Sequence, residues 1–266
     1  MRFLKNKVKM KLRQGESSVG SWISLPSVET FEIMARSGAF DFLVMDAEHS
    51  VLQNETIQKM NMIAESYDVM PLVRISQNKL TVIKQSLETG CYGLVVPNVN
   101  SKKDVQSIID GVFYKPVGQR GVGLSRAQGY GLSFDEYLRW LEKNMCIIVQ
   151  IEDIRAIQNL RDILDNDMVD ASMIGPYDLS ASLGCAGKLG DDRVIDALKE
   201  YERVSVEMSK PYGYHITHSD AKLLKDKASQ GYSFLVYGVD QIMLAEQCKK
   251  SRSLIYEING DHTCQI

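Results

Sequence analysis

Along this chain, apolar, β-branched runs give way again and again to stretches with helical periodicity. Eight such units recur at intervals of about thirty residues. The runs are Val19–Ser24, Asp41–Asp46, Val69–Ile75, Tyr92–Val96, Cys146–Ile151, Val169–Ile174, Tyr212–Ile216 and Phe234–Tyr237. They are continuous rather than strictly alternating, as expected of parallel strands covered on both faces. Eight strand-then-helix units in 266 residues predict an α/β chain closed into a (β/α)8 TIM barrel. Nothing between them looks like a linker, so residues 1–266 are read as a single domain. Residues 1–17 form an N-terminal arm or a short basic helix over Lys5–Arg13. The last helix spans about Gln241–Lys250, and residues 251–266 are a tail or an oligomer contact.

Composition narrows the class. Net charge is −3 with no long basic block, which argues against nucleic acid as a partner. No apolar run reaches bilayer-spanning length, and the cations near Met1 are not followed by the apolar segment of a secretory signal. Cys91, Cys146, Cys185, Cys248 and Cys264 are scattered and odd in number, unlike a disulfide framework or a structural zinc site. A soluble, cytoplasmic protein is the expectation.

In a parallel barrel, chemistry gathers where strands end. Two runs end in carboxylates: Gln150-Ile151-Glu152 after the fifth, and Gly175-Pro176-Tyr177-Asp178 after the sixth. Two carboxylates at one edge suit a hard divalent cation. The same spacing also fits Glu152 as a helix cap and Asp178 as a turn residue. The other strand ends add Trp22, then Asp46, Glu48 and His49, then Arg74. Trp22 reads equally as core or as pocket wall. Asp46 is placed behind His49, orienting it. The long glycine-bearing segment from Tyr114 to Gly131, after the fourth strand, is assigned to the same face with Gln119, Arg120 and Arg126. His215, His218 and His262 have no comparable frame and are read as structural or surface residues.

The ordered set Phe40–His49, Pro71–Arg74, Gly93–Pro97, Pro116–Gly123, Gln150–Glu152 and Ile174–Ser180 resembles the HpcH/HpaI aldolase family. These are class II pyruvate aldolases of the 4-hydroxy-2-oxoheptanedioate aldolase kind. The resemblance spans about residues 18–250 and implies a barrel that cleaves or forms 4-hydroxy-2-oxo acids with a divalent cation such as Mg²⁺, Mn²⁺ or Co²⁺. It implies Glu152 and Asp178 as metal ligands, Arg74 on the enolate oxygen, and His49, with Asp46, in proton transfer. Gln150, the amides around Gly175 and Pro176, Tyr177, Trp22 and Arg120 would bind substrate. Pyruvate and an aldehyde are the implied small-molecule partners, and a homo-oligomer, often a hexamer, the implied assembly. No lysine stands at a strand end, so the Schiff-base route to aldol cleavage is not favoured.

Two positions depart from the family pattern. Tyr177 stands where many members have alanine, and Asn98 follows Pro97 where an apolar residue is usual. Both put the acceptor preference in question. A citrate lyase β-subunit or malyl-CoA type thioester lyase shares the barrel and the carboxylates, although no basic patch for a nucleotide is evident. A non-catalytic barrel subunit is the third reading.

Overall fold

The computed structural model describes residues 1–259; Cys264 and His262 lie outside the described residues. Eight parallel strands close into a barrel in chain order. They are β1 (Ser18–Ile23), β2 (Phe42–Asp46), β3 (Met70–Arg74), β4 (Gly93–Val96), β5 (Cys146–Ile151), β6 (Ala171–Ile174), β7 (Tyr212–Ile216) and β8 (Phe234–Val239). Around them run α1 (Lys7–Arg13), α2 (Val28–Arg36), α3 (Asn54–Ala64), α4 (Leu80–Glu88), α5 (Lys102–Val112) and α6 (Phe134–Asn144). The ring continues with α7 (Ile154–Gln158), α8 (Leu160–Leu164), α9 (Pro176–Ser182), α10 (Asp192–Glu207), α11 (Ala221–Ser229) and α12 (Asp240–Asn259). Each run expected to form a strand does so. Residues 251–259, expected to belong to a tail, instead continue α12. Among the described residues no helix is long and apolar enough to cross a membrane.

The barrel interior is packed, not hollow. Phe42 and Phe234 stack across it with ring centroids 4.6 Å apart. Small residues make this possible: a Cβ on Gly20 would fall 2.3 Å from the Phe42 ring, and one on Gly213 would fall 2.4 Å from the Phe234 carbonyl. Alternating large and small side chains fills a tapering barrel without voids. Cys91 and Cys146 are buried core residues.

The N-terminal arm closes the bottom of the barrel. Asn6 caps α1, and its amide reaches the Tyr92 carbonyl at 2.8 Å. Lys9 is buried, donating to the Met145 carbonyl at 2.6 Å and pairing with Asp170 at 3.2 Å. Because Lys9 is buried, removing either partner would leave an uncompensated buried charge, so the contact fixes where α1 sits. At the other end the helices begin, and Ser27 shows how the sequence sets a start: its hydroxyl accepts the Thr30 N–H at 3.1 Å.

The long segment after β4 does not join the strand-end face. Helix α5 intervenes and carries the chain to the opposite end of the barrel. There Arg120 is buried, bonding the Tyr137 hydroxyl at 2.7 Å and Glu88 at 2.9 Å. Arg126 bonds Glu65 at 2.6 Å and the Thr89 carbonyl at 3.2 Å. Glu65, Glu88 and Thr89 all lie where helices end, beside the strand starts. Gln119 is likewise turned onto Asp110 of α5, at 3.0 Å.

Candidate active site

Asp46 and Arg74 are paired in register at the ends of β2 and β3. The two side chains form a fork: Arg74 Nε donates to Asp46 at 2.9 Å and Nη2 at 2.6 Å, both groups buried. Bidentate pairing fixes the guanidinium plane as well as its charge. The Arg74 guanidinium lies 4.4 Å over the Trp22 ring, so Trp22 is the floor on which the cation rests. Burial works to raise the Asp46 carboxyl, but Arg74 and the amides of Glu48 and His49 outweigh it and hold the group below its usual range.

Asp46 does not orient the His49 ring. It accepts the backbone N–H of His49 at 3.1 Å and of Glu48 at 3.0 Å, fixing the turn after β2. The imidazole projects outward, 64% exposed, and its nearest carboxylate is Glu48, 3.7 Å from Nε2. Glu48 also stands 3.5 Å from Arg74 Nε, and its Oε2 is buried with no hydrogen-bond partner among the described residues. From sequence, Glu48 or Asp46 could be a rim ion-pair partner of Arg74; in the structure Asp46 forms the fork and Glu48 lies between the guanidinium and the imidazole.

Across the barrel mouth, Glu152 ends β5. Its Oε1 accepts the Asn98 N–H at 2.7 Å and its Oε2 the Gln150 amide at 2.5 Å. Asn98 has the left-handed backbone angle φ 56, which asparagine tolerates better than most residues, and this turns its N–H onto Glu152. Gly175 leaves room for the pair: a Cβ there would lie 3.2 Å from the Glu152 Cβ and 3.4 Å from the Gln150 amide nitrogen. The Gly175 N–H is taken by the Ile151 carbonyl at 2.8 Å, and Pro176 has none. The first amides of that turn without an intrahelical partner are therefore those of Tyr177 and Asp178. Asp178 and Tyr177 are exposed at the mouth.

Arg74, Gln150, Gly175, Pro176, Tyr177 and Asp178 line one cavity of about 60 Å³ together with His215, which the sequence reading set aside, and with Met173 and Thr217. A larger cavity, about 790 Å³, opens at the opposite end of the barrel beside Arg13, Asp170 and Lys210. It touches none of the strand-end groups, and its mixed rim of strand starts is where barrels carry stability rather than chemistry.

Charge is unbalanced at the mouth. Burial pushes Glu48 up to about 7, opposed by Arg74 and aided by Asp46 and Asp178. Burial pushes Glu152 up to about 7 as well, opposed by the Asn98 amide and aided by Glu48 and Asp178. Burial and neighbouring carboxylates thus leave Glu48 and Glu152 with a raised affinity for positive charge while Arg74 is committed to Asp46. Gln150 Oε1 adds a buried acceptor with no partner. Oxygen donors of this kind fit a hard divalent cation. Among the described residues no group of three or more His, Cys, Asp or Glu side chains is arranged to hold a metal ion by itself. A cation held by Glu152 and Asp178 therefore needs oxygens from water or substrate, as catalytic sites require.

The carboxylates predict a pH signature. A carboxyl raised above its unfolded value binds its proton more tightly when folded, so its ionisation costs stability as pH rises through that range. His215 acts the other way: burial, with Arg74 adding to it against Asp46, lowers its imidazole to about 3, which costs stability below the ordinary histidine range. Comparing wild type with Glu152→Gln cancels the histidine contribution. In EDTA, thermal unfolding at pH 5 and pH 8 is expected to show the variant gaining about 1–3 kcal/mol on the wild type over that interval. A constant difference between the two proteins would mean that Glu152 is not strained by its neighbours.

Over most of its length the chain is similar to known proteins. A family model described as HpcH/HpaI aldolase/citrate lyase matches residues 18–246. A pyruvate aldolase of Rhizobium etli is 35% identical over 241 residues, covering 90% of this chain and 93% of the relative. A hydroxypyruvate/pyruvate aldolase of Pseudomonas aeruginosa is 32% identical over 247 residues, covering 92% and 91%. Among solved structures, an HpcH/HpaI aldolase/citrate lyase family protein of Burkholderia cenocepacia superposes with a TM-score of 0.89 at 24% identity, over 94% of this chain and 99% of that one.

Proposed function

The chain belongs to the HpcH/HpaI aldolase/citrate lyase family, and from that premise we propose that it is a divalent-cation-dependent aldolase that forms or cleaves a 4-hydroxy-2-oxo acid through the enolate of pyruvate or a close relative. Its aldolase-named relatives support a lyase; the cation and the residue roles are inferred here. The observation that carries the reading is the gathering of carboxylates at the barrel mouth, Glu48 beside the Arg74–Asp46 fork and Glu152 with Asp178 on the other side, with both buried glutamates raised to about 7.

Glu152 and Asp178 would hold the cation, Mg²⁺, Mn²⁺ or Co²⁺. When bound, it would act as a Lewis acid that lowers the cost of negative charge on the 2-oxo group. Arg74 supplies the protein's own share. Its Nε and Nη2 are spent on Asp46, while Nη1 has no protein partner among the described residues and the side chain lines the cavity. That donor would meet the oxygen that gains charge as the enolate forms. Gln150, held against Glu152, would position the oxo acid, and the amides of Tyr177 and Asp178 would meet its carboxylate. Tyr177 at the mouth would line the acceptor's path. Arg120 is left out, being committed at the far end of the barrel.

His49 would take the proton of the 4-hydroxyl in cleavage and return it in addition. Its exposure leaves it free to reach an acceptor, and Glu48 stands close enough to steady the imidazolium. His49→Ala is expected to slow retro-aldol turnover by roughly 10²–10⁴-fold while Mn²⁺ binding, followed by calorimetry, stays intact. Unchanged turnover would remove His49 from the mechanism.

The exposed apolar residues Leu244, Leu254, Ile255 and Ile258 along α12 support a homo-oligomer, with the hexamer as the expected form.

The function is tested by NMR of pyruvate in D₂O with cation-stripped protein, before and after adding Mn²⁺, Mg²⁺ or Co²⁺. Cation-dependent loss of the methyl proton signal is expected. Absence of exchange with every cation would defeat the proposal and turn attention to thioester substrates.

A further inference from the structure

His215 is the cavity residue whose chemistry the proposed function leaves unused. It sits on β7 with its ring edge-on to Trp22, centroids 5.3 Å apart, and it lines the cavity beside Arg74 and Gln150. Its Nε2 is buried and has no hydrogen-bond partner among the described residues. An unpaired buried polar atom costs about 1–3 kcal/mol, so such a group in a ligand cavity points to a bound partner. Thr217, two residues further along the same side of the chain, lines the same cavity. Met173, on the neighbouring strand β6, adds an apolar surface to the same cavity.

The state of the ring limits what it can bind. Burial and the Arg74 charge keep the imidazole neutral at physiological pH. A neutral imidazole has one donor and one acceptor nitrogen. A hydroxyl, itself both donor and acceptor, satisfies either ring nitrogen in either tautomer. A methyl group satisfies neither. A second carboxylate would stand among Asp46, Glu48, Glu152 and Asp178, with Arg74 already paired to Asp46. Position matters too: His215 and Gln150 line the cavity, while Tyr177 and His49 stand exposed at its mouth, where the acceptor would approach.

We propose that His215 selects the donor: it hydrogen-bonds a hydroxyl on C3 of the 2-oxo acid, so that hydroxypyruvate is favoured over an isosteric donor with a methyl group there. The proposal rests on the enolate-forming reading of the site and assigns its donor specificity to a residue outside the cation ligands.

Hydroxypyruvate and 2-oxobutanoate differ only in hydroxyl against methyl, which makes them the test pair. Dissociation constants for both are measured by calorimetry on Mg²⁺-loaded protein. Exchange of their C3 protons in D₂O is followed by NMR for wild type, His215→Leu and His215→Gln. Wild type is expected to bind hydroxypyruvate about tenfold more tightly, the size of one net hydrogen bond. His215→Leu should bring the ratio of dissociation constants close to one and shift the ratio of exchange rates by the same factor; differences in intrinsic acidity cancel between variants. His215→Gln, which keeps hydrogen-bonding capacity, should retain most of the preference. Equal wild-type affinities, or tighter binding of oxaloacetate than of hydroxypyruvate, would overturn the assignment without any variant. So would a ratio that survives His215→Leu. Failure of pyruvate to exchange with any cation would defeat the aldolase reading instead, and the wild-type affinity ratio would still decide the role of His215.

Discussion

Glu152→Gln is expected to reduce cation-dependent exchange of the pyruvate methyl protons by at least about 10³-fold, with the fold intact. The substitution keeps the shape of the side chain and removes its charge. Oε1 can still accept the Asn98 N–H, which now bonds Glu152 at 2.7 Å. The new amide would face the Gln150 amide, which donates to Oε2 at present. Gln150 can rotate to present its oxygen, currently without a partner. The pocket therefore accommodates the variant, and removing a buried carboxylate raised to about 7 relieves repulsion from Glu48 and Asp178. Lost activity cannot then be assigned to unfolding. Near-ultraviolet circular dichroism and thermal unfolding in EDTA would establish the fold, and Mn²⁺ titration the affinity. Asp178→Asn should lose exchange similarly. Exchange within tenfold of wild type in Glu152→Gln would sink the metal-ligand role and return Glu152 to the cap that its spacing also permits.

How much of this was legible in the chain follows from where each signal resides. The strands were readable because burial on both faces makes each a continuous apolar run, and the run needs no knowledge of its neighbours. Glu152 and Asp178 were readable because each ends such a run. Arg120 was misplaced by treating the segment from Tyr114 as a strand-end loop. It follows α5, and in a parallel barrel a helix returns the chain to the strand starts. Asp46 and His49 are close enough in sequence to suggest contact between side chains. The turn after β2 instead gives the carboxylate the backbone N–H of His49, and its oxygens go to Arg74. Glu48's position between the Arg74 guanidinium and the His49 ring depends on distances across β2 and β3, which no spacing encodes.

His215 was the one missed residue with a signal of its own. Gly213 faces the barrel interior, since a Cβ there would meet Phe234. Strand side chains alternate, so His215 and Thr217 share that side, whereas Tyr212 packs with Tyr201 of α10, centroids 6.1 Å apart. Tracing parity from the glycine would have turned His215 inward. The apolar look of Tyr212-Gly213-Tyr214-His215-Ile216 concealed it.

Arg74→Lys is expected to lower the rate of pyruvate methyl exchange by roughly 10²–10³-fold, with a smaller change in KM, the loss seen when one donor to a developing oxyanion is removed. The argument is one of valence. Arg74 spends Nε and Nη2 on Asp46 and keeps Nη1 for the cavity, all in one plane fixed over Trp22. An ammonium at the end of a flexible stem can serve Asp46 or the substrate oxygen, but it cannot hold both at guanidinium distances. Charge at the site would be kept while geometry is lost, so a large effect would identify the fork rather than the cation as the working feature. Arg74→Met separates structure from chemistry. It leaves Asp46 and Glu48 buried without their counterion and should cost about 3–5 kcal/mol of stability, as breaking one side of a buried pair does. Adding Asp46→Asn to Arg74→Met should recover part of that stability and none of the exchange. Exchange in Arg74→Lys within tenfold of wild type would show that a positive charge anywhere near the cavity is enough, and the oriented Nη1 donor would lose its place in the mechanism.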